Sequence, residues 1–210
     1  MPKITDLTIQ KNNKARANLY LDGEFAFGVE MLTVMKLGLK IGQEVSEGRL
    51  KEAVFDSEKS VAFEKAVDYL ARGMKTEKQM RDYLQKKGYS LEIVNVVVGK
   101  LKDYRYVDDK RFAQLYVEQN VKSKGQRRLK QELQQKGISS ARAEEAAQTD
   151  SETEWENALA LAQKYMRGKT CDLKNLQRLQ RYLLSRGYGF DTVNGIVRTF
   201  KSLDGGDVDD

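Results

Sequence analysis

The sequence predicts a mainly α-helical protein: three tandem three-helix, helix-turn-helix-like repeats forming an elongated curved array, with a small N-terminal β-meander. Three observations predict it. The stretches EKQMRDYLQKKGYS from Glu77, QRRLKQELQQKGIS from Gln126 and LQRLQRYLLSRGYG from Leu176 share one outline, and their glycines lie 49 and 50 residues apart. About three helices of ordinary length fill such a period. The apolar period is two residues at the start of the chain and helical from about Ser57 onward. A single proline in 210 residues, with 40% hydrophobic and 32% charged residues, suits a helical protein better than a disordered one.

Taken in order, apolar residues alternate in ITDLTI, ANLYL and EFAFGV, and Asp22-Gly23 between the last two marks a tight hairpin turn. So small a sheet needs a partner layer, which the run MLTVMKLGL supplies. Val61, Ala62, Ala66, Val67 and Leu70 then trace one helical face ending near Gly73. Thr76 with Gln79 forms a capping box, and that helix stops at Gly88. LEIVNVVVGKLKDY follows Ser90, and Asp108 is the N-cap of DKRFAQLYVEQNVK. Ser151 with Glu154 forms a second capping box ahead of ALALAQKYM and Gly168. The expected layout is a meander with short helices over 1–56, repeats over 57–107, 108–150 and 151–203, and an acidic tail over 204–210.

Within the repeated motif, Met80, Leu129 and Leu179 stand four residues before Leu84, Leu133 and Leu183, on one helix face. These are the core positions. Gly88, Gly137 and Gly187 stand where a helix end needs a left-handed residue, and Tyr89, Ile138 and Tyr188 follow as the residues that fold back in a Schellman ending. Units this small cannot stand alone and are expected to stack. Tyr69, Tyr83, Phe112, Tyr116, Tyr165, Tyr182 and Trp155 fall at or near apolar helical positions and read as packing residues.

Composition removes most enzyme classes. The chain has no histidine and one cysteine, Cys171, so Ser-His-Asp and Cys-His chemistry, the common zinc centres and an internal disulfide all lack parts. No Walker-type phosphate loop or strand-to-helix GxGxxG occurs, so the reading is a non-enzyme without cofactor or metal. No apolar run approaches the roughly 18 residues of a spanning helix. MPKITDLTIQKNNK is too polar for a signal peptide, and a cytoplasmic protein is expected.

The net charge is +6, and its distribution is uneven. Residues 1–56 carry eight basic and eight acidic residues, Lys122 to Lys136 carries six basic residues against Glu132, and 158–201 carries nine against Asp172 and Asp191. Basic residues recur in the middle helix of each repeat: Lys75, Lys78 and Arg81, then Arg127, Arg128 and Lys130, then Lys174, Arg178 and Arg181. Such a row points to a polyanionic partner or an assembly of mixed charge, although any one block also fits a solvated helix face.

VDDKRFAQLYVEQNVKSKGQRRLKQELQQKGIS resembles the central repeat of the RecX family, bacterial regulators of the RecA recombinase, through its DD, RF, Tyr116, Gly125 and final EL..KGI. The resemblance extends over the three repeats, and LDGEFAFGVE is similar to the N-terminal extension of Gram-positive members. The family often has Arg in place of Asn120 and Gly-Pro in place of Gly125-Gln126. The resemblance implies a protein that lies in the helical groove of RecA–DNA filaments and restrains strand exchange, ATP hydrolysis and co-protease activity in DNA repair and the SOS response, stimulation being the other effect found in the family; a monomer is expected. Contact residues expected on the charge pattern are Arg127 and Arg128 first, with Lys122, Lys124 and Lys130 beside them. Arg105 between Tyr104 and Tyr106, and the cations of the outer repeats, complete the set. A DNA-binding repeat protein acting without RecA, and a purely protein-binding scaffold, are the competing readings.

Overall fold

The computed structural model describes residues 1–204. Its described residues form three strands and ten helices in two compact units, Met1–Val107 and a second beginning at Asp108. Of the tail expected over 204–210, everything from residue 205 lies outside the described residues.

The first unit opens with β1 (Ile4–Ile9), β2 (Arg16–Leu21) and β3 (Glu24–Glu30), an antiparallel sheet in the order β1-β2-β3. Asp22 (φ 49°) and Gly23 (φ 88°) both take left-handed conformations, so the β2-β3 turn is the two-residue hairpin that the Asp-Gly pair favours. Only one face is apolar. Ile4, Ala17, Leu19, Leu21 and Val29 are buried against Val34 of α1 (Met31–Leu37), Leu39, and Leu50 and Val54 of α2 (Glu47–Leu70). The expectation that MLTVMKLGL covers the sheet therefore holds.

Helix α2 begins well before Ser57, where the helical period first shows in the sequence. The physical reason is a change of partner along the helix: Leu50 and Val54 face the sheet, whereas Ala62 and Ala66 face the first repeat. Its apolar stripe consequently shifts, and no single face announces the first turns. At the changeover sits Glu58, 4% exposed, whose Oε1 accepts the Glu30 N–H at 2.6 Å and lies 3.1 Å from Arg16 Nη2. Arg16 Nη1 lies 3.3 Å from Glu30 Oε2, and Lys65 also pairs with Glu30. Two buried carboxylates and two cations thus join sheet to helix.

The rest of repeat 1 is α3 (Glu77–Lys86) and α4 (Leu91–Asp103), built around Met80, Leu84, Ile93, Val94, Val97, Val98 and Leu101. The second unit holds α5 (Asp109–Asn120), α6 (Gln126–Gln135) and α7 (Ser140–Ala147), then α8 (Ser151–Met166), α9 (Leu173–Ser185) and α10 (Phe190–Asp204). Three tandem three-helix repeats follow the meander, as the 49- and 50-residue spacing predicts.

The motif encodes its helix end as expected. Met80, Leu84, Leu129, Leu133, Leu179 and Leu183 are all fully buried. Gly88, Gly137 and Gly187 take φ of 90°, 95° and 90°, and the N–H groups of Tyr89, Ile138 and Tyr188 reach back to the carbonyls of Leu84, Leu133 and Leu183 at 3.3, 3.0 and 3.3 Å. That six-to-one bond, with the glycine N–H bonded to Gln85, Gln134 or Leu184, is the Schellman arrangement. The Thr76-Gln79 capping box forms, and Asp108 caps α5 by accepting from the Lys110 and Arg111 amides. One cap differs. Helix α8 is capped by Asp150, which accepts from the Thr153 N–H at 2.8 Å, because its carboxylate lies one residue ahead of Ser151 and is the stronger acceptor.

The aromatic residues expected to pack are half-buried at the edges of the cores. Tyr69 of α2 stacks on Tyr83 of α3 with centroids 4.1 Å apart, and Tyr165 of α8 stacks on Tyr182 of α9 at 4.5 Å. Phe112 stacks with Tyr116 along α5, and Trp155 packs on Gly195 so closely that a Cβ there would meet its ring at 2.5 Å.

Candidate partner-binding surface

Each middle helix buries its leucine face and turns the basic residues outward, but the three sets differ in what they touch. In repeat 1 each of Lys75, Lys78 and Arg81 has a local partner. Lys75 donates to the Gly73 carbonyl at 3.1 Å, Lys78 pairs with Asp82 at 3.1 Å, and Arg81 contacts both Glu77 and Asn95. Lys102 reaches Glu77 as well, at 2.8 Å, and the hydrogen bond from Lys102 first, then that from Arg81, holds the Glu77 carboxyl below its ordinary range against burial.

Repeat 2 neutralises more of its charge than the sequence suggests. Glu132 on α6 receives Lys124 at 2.6 Å on one oxygen and Arg128 at 2.9 Å on the other, and accepts the Tyr116 hydroxyl at 2.6 Å. Burial would raise the Glu132 pKa, yet the hydrogen bonds from Lys124, Tyr116 and Arg128 outweigh it and push it down to about 2. Its folded pKa lies below the ordinary value of 4.5, so the stabilisation is fully present above about pH 4.5 and is lost as pH falls towards 2. The expected result is that acid lowers the melting temperature of Glu132→Gln less steeply than that of the parent chain across this window. After discounting for solvent, the difference is on the order of 2 kcal/mol. Lys130 is paired with Glu144. Arg127 and Lys122 remain exposed without a side-chain partner among the described residues.

Repeat 3 keeps its cations open. Lys174, Arg178 and Arg181 lie at i, i+4 and i+7 on the exposed side of α9, opposite Leu176, Leu179 and Leu183. None forms an ion pair among the described residues; Arg181 only reaches the Gln177 carbonyl at 3.4 Å, and Lys174 feels the Asp172 N-cap nearby. The least compensated row is therefore on α9, with Arg127 and Lys122 as its counterpart in repeat 2.

Arg105 stands apart. It is exposed between the exposed Tyr104 and Tyr106, with φ of 56°, at the end of α4. Its N–H bonds to the Lys102 carbonyl and that of Tyr106 to Leu101, so an arginine fills the left-handed cap position that glycine takes in the three motif copies. A non-glycine residue there is strained by about 1 kcal/mol. Arg105→Gly should accordingly raise the stability of the first unit by roughly that amount in thermal or urea unfolding. A concurrent loss of partner binding would assign the side chain to contact.

Sequence reading missed a second recurring set. A cation from the first inter-helix connection lies over an aromatic ring in each repeat: Lys75 over Tyr69 at 4.9 Å, Lys124 over Tyr116 at 5.3 Å and Lys169 over Tyr165 at 3.5 Å. The residue just before each motif glycine does the same: Lys87 over Tyr83, Lys136 over Tyr116 and Arg186 over Tyr182. The signal was present in the fixed place of a cation before each glycine, and only the stacking geometry shows what it meets.

Among the described residues no helix is long and apolar enough to cross a membrane, and no group of three or more metal-ligating side chains gathers. The surface is a set of positioned charges and ring faces.

Comparison with known proteins agrees with this layout. The chain matches the model described as the regulatory protein RecX N-terminal domain over residues 2–46, and those of the first, second and third RecX three-helix domains over 62–101, 108–146 and 152–197. It is 37% identical over 203 residues to the regulatory protein RecX of Clostridium botulinum (strain Alaska E43 / Type E3), covering 94% of this chain and 96% of that one. It is 36% identical over 199 residues to that of Bacillus pumilus (strain SAFR-032), covering 92% and 76%. Among solved structures, a crystal structure of regulatory protein RecX is similar with a TM-score of 0.64 and 28% identity, over 95% of this chain and 100% of that one. That of RecX from Lactobacillus salivarius shares the fold, with a TM-score of 0.63 and 24% identity over 70% of this chain and 99% of that one. With the N-terminal sheet, three successive repeats and full-length relatives all in register, the chain belongs to the RecX family of regulatory proteins.

Proposed function

We propose that this protein is a cytoplasmic, non-enzymatic regulator of the RecA recombinase that binds RecA–DNA filaments in their helical groove and inhibits strand exchange, ATP hydrolysis and co-protease activity, with consequences for DNA repair and the SOS response. Membership of a family named for regulation supports the role. The observation that carries the binding mode is the uncompensated cation row of α9 together with Arg127 and Lys122. A filament groove offers phosphate on one side and acidic protein surface on the other, and both accept Lys and Arg. Contacts to phosphate release counterions, so affinity falls steeply as salt rises.

Titrating the protein into RecA assembled on single-stranded DNA, while ATP hydrolysis and strand exchange are followed, tests the proposal. Dose-dependent slowing of both is expected, and no change in either at any concentration would rule it out. The competing reading, a DNA-binding repeat protein independent of RecA, predicts instead a footprint on duplex DNA with RecA absent.

A further inference from the structure

The helix α6 starts in an unusual way. Its counterparts are capped by their own side chains, α3 by Thr76 and α9 by Asp172, but α6 begins at Gly125, which has no side chain to offer. The cap comes from repeat 3. The Gly125 N–H donates to the Arg186 carbonyl at 2.9 Å, the Arg127 N–H to the Gly187 carbonyl at 3.2 Å, and Arg128 Nη1 to the Ser185 carbonyl at 2.9 Å. Three successive carbonyls at the C-terminal end of α9, which a helix end leaves without intrahelical partners, thus meet donors at the N-terminal end of α6. The two helix dipoles run head to tail across the contact, which is the attractive arrangement.

The fit leaves no room for a side chain. A Cβ at Gly125 would stand 2.5 Å from the carbonyl carbon and oxygen of Gly187, and one at Gly187 would stand 2.4 Å from Arg128 Cβ. Gly187 needs its glycine anyway, because its φ is 90°. Gly125 does not: at φ −76° and ψ 165° any residue is comfortable, so the close approach to repeat 3 alone requires glycine there. Arg128 is fixed from both sides, by Glu132 within its own helix and by Ser185 across the contact, which removes it from the cations open to a partner.

We infer that this backbone seam makes repeats 2 and 3 a single two-point reader, with Gly125, Gly187 and Arg128 as positioning residues that hold Arg127 and Lys122 at a fixed spacing from Lys174, Arg178 and Arg181. The inference rests on the reading of the protein as a RecA-filament regulator. A filament presents its charges at repeating positions, so two rows held at one spacing bind as a chelate, whereas two rows free to move bind with the ordering cost unrelieved.

The test uses the full chain carrying Cys171→Ser, with spin labels on Glu118→Cys in α5 and Ser202→Cys in α10, both exposed. Gly125→Ala is the informative variant, because alanine suits its backbone and only the seam is disturbed. Gly168→Ala, within repeat 3, is the control: its φ of 73° strains an alanine, which Gly125→Ala does not, yet nothing lies within 4 Å of the added Cβ and the seam is left intact. The expected result is one narrow label-to-label distance in the parent and in Gly168→Ala, and a broad distribution in Gly125→Ala. Potency against RecA ATP hydrolysis should fall about tenfold or more in Gly125→Ala alone. A narrow distance in Gly125→Ala, undiminished potency despite a broad one, or an equal loss in Gly168→Ala would each overturn the inference. A parent chain without effect on RecA would defeat the functional reading instead, and the distance distributions would still decide whether the seam locks the repeats.

Discussion

Replacing Arg16 with Met should destabilise the first unit by about 3–5 kcal/mol, the cost of leaving buried carboxylates without their cation. Arg16, Glu30 and Glu58 are 5%, 1% and 4% exposed, so water cannot take over the lost contacts. Lys65 would still serve Glu30, but Glu58 would keep only the Glu30 amide. Burial already raises the Glu58 pKa above its ordinary value, with Arg16 as the main opposing influence. A carboxyl raised on folding contributes most below its unfolded pKa and loses that contribution as pH climbs through the folded one. The defect of Arg16→Met should therefore be smaller near pH 5 than near pH 8. Hydrogen exchange of the Leu19 amide, in the central strand of the sheet, reads this unit without interference from the other. The double variant Arg16→Met/Glu58→Leu should recover part of the loss, since it removes the unpaired Glu58 charge but leaves the buried Glu30 N–H without its acceptor.

The second large effect is expected on α9. Arg178→Glu with Arg181→Glu replaces two uncompensated cations by anions on a face that makes no described ion pair, so the repeat should fold normally while the regulatory effect on RecA falls on the order of a hundredfold at low salt. Circular dichroism checks the fold and inhibition of RecA ATP hydrolysis checks the effect. The salt dependence of what binding remains should flatten, because fewer counterions are released. Reversing Lys130 or Lys78 should do less to binding, since Glu144 and Asp82 already neutralise them.

The contrast between those two outcomes marks where the sequence was legible. Local chemistry was: the Asp22-Gly23 turn, the Thr76-Gln79 box and the leucine-to-glycine spacing each act within a few residues, and each formed as the residues dictate. The first half of α2 was not, because Leu50 and Val54 answer to a sheet that lies far back in the sequence. For the charged row, residue type and spacing placed Arg127, Arg128 and Lys130 together, and Glu132 stands within reach of Arg128 one turn on, yet the contacts of Arg128 with Ser185 and of Lys130 with Glu144 are set by tertiary packing. Arg128 and Arg127 adjoin in sequence and differ in what they can do. Gly125 is the sharpest case, since a glycine at a helix start looks like a weak cap until Gly187 is seen against it.

Electron microscopy of RecA filaments on single-stranded DNA, with and without this protein, addresses the central claim most directly. Extra density following the helical groove is expected with the parent chain, and bare filaments with Arg178→Glu/Arg181→Glu at the same concentration. Filaments that stay bare with the parent chain, or that are decorated equally by both proteins, would contradict it.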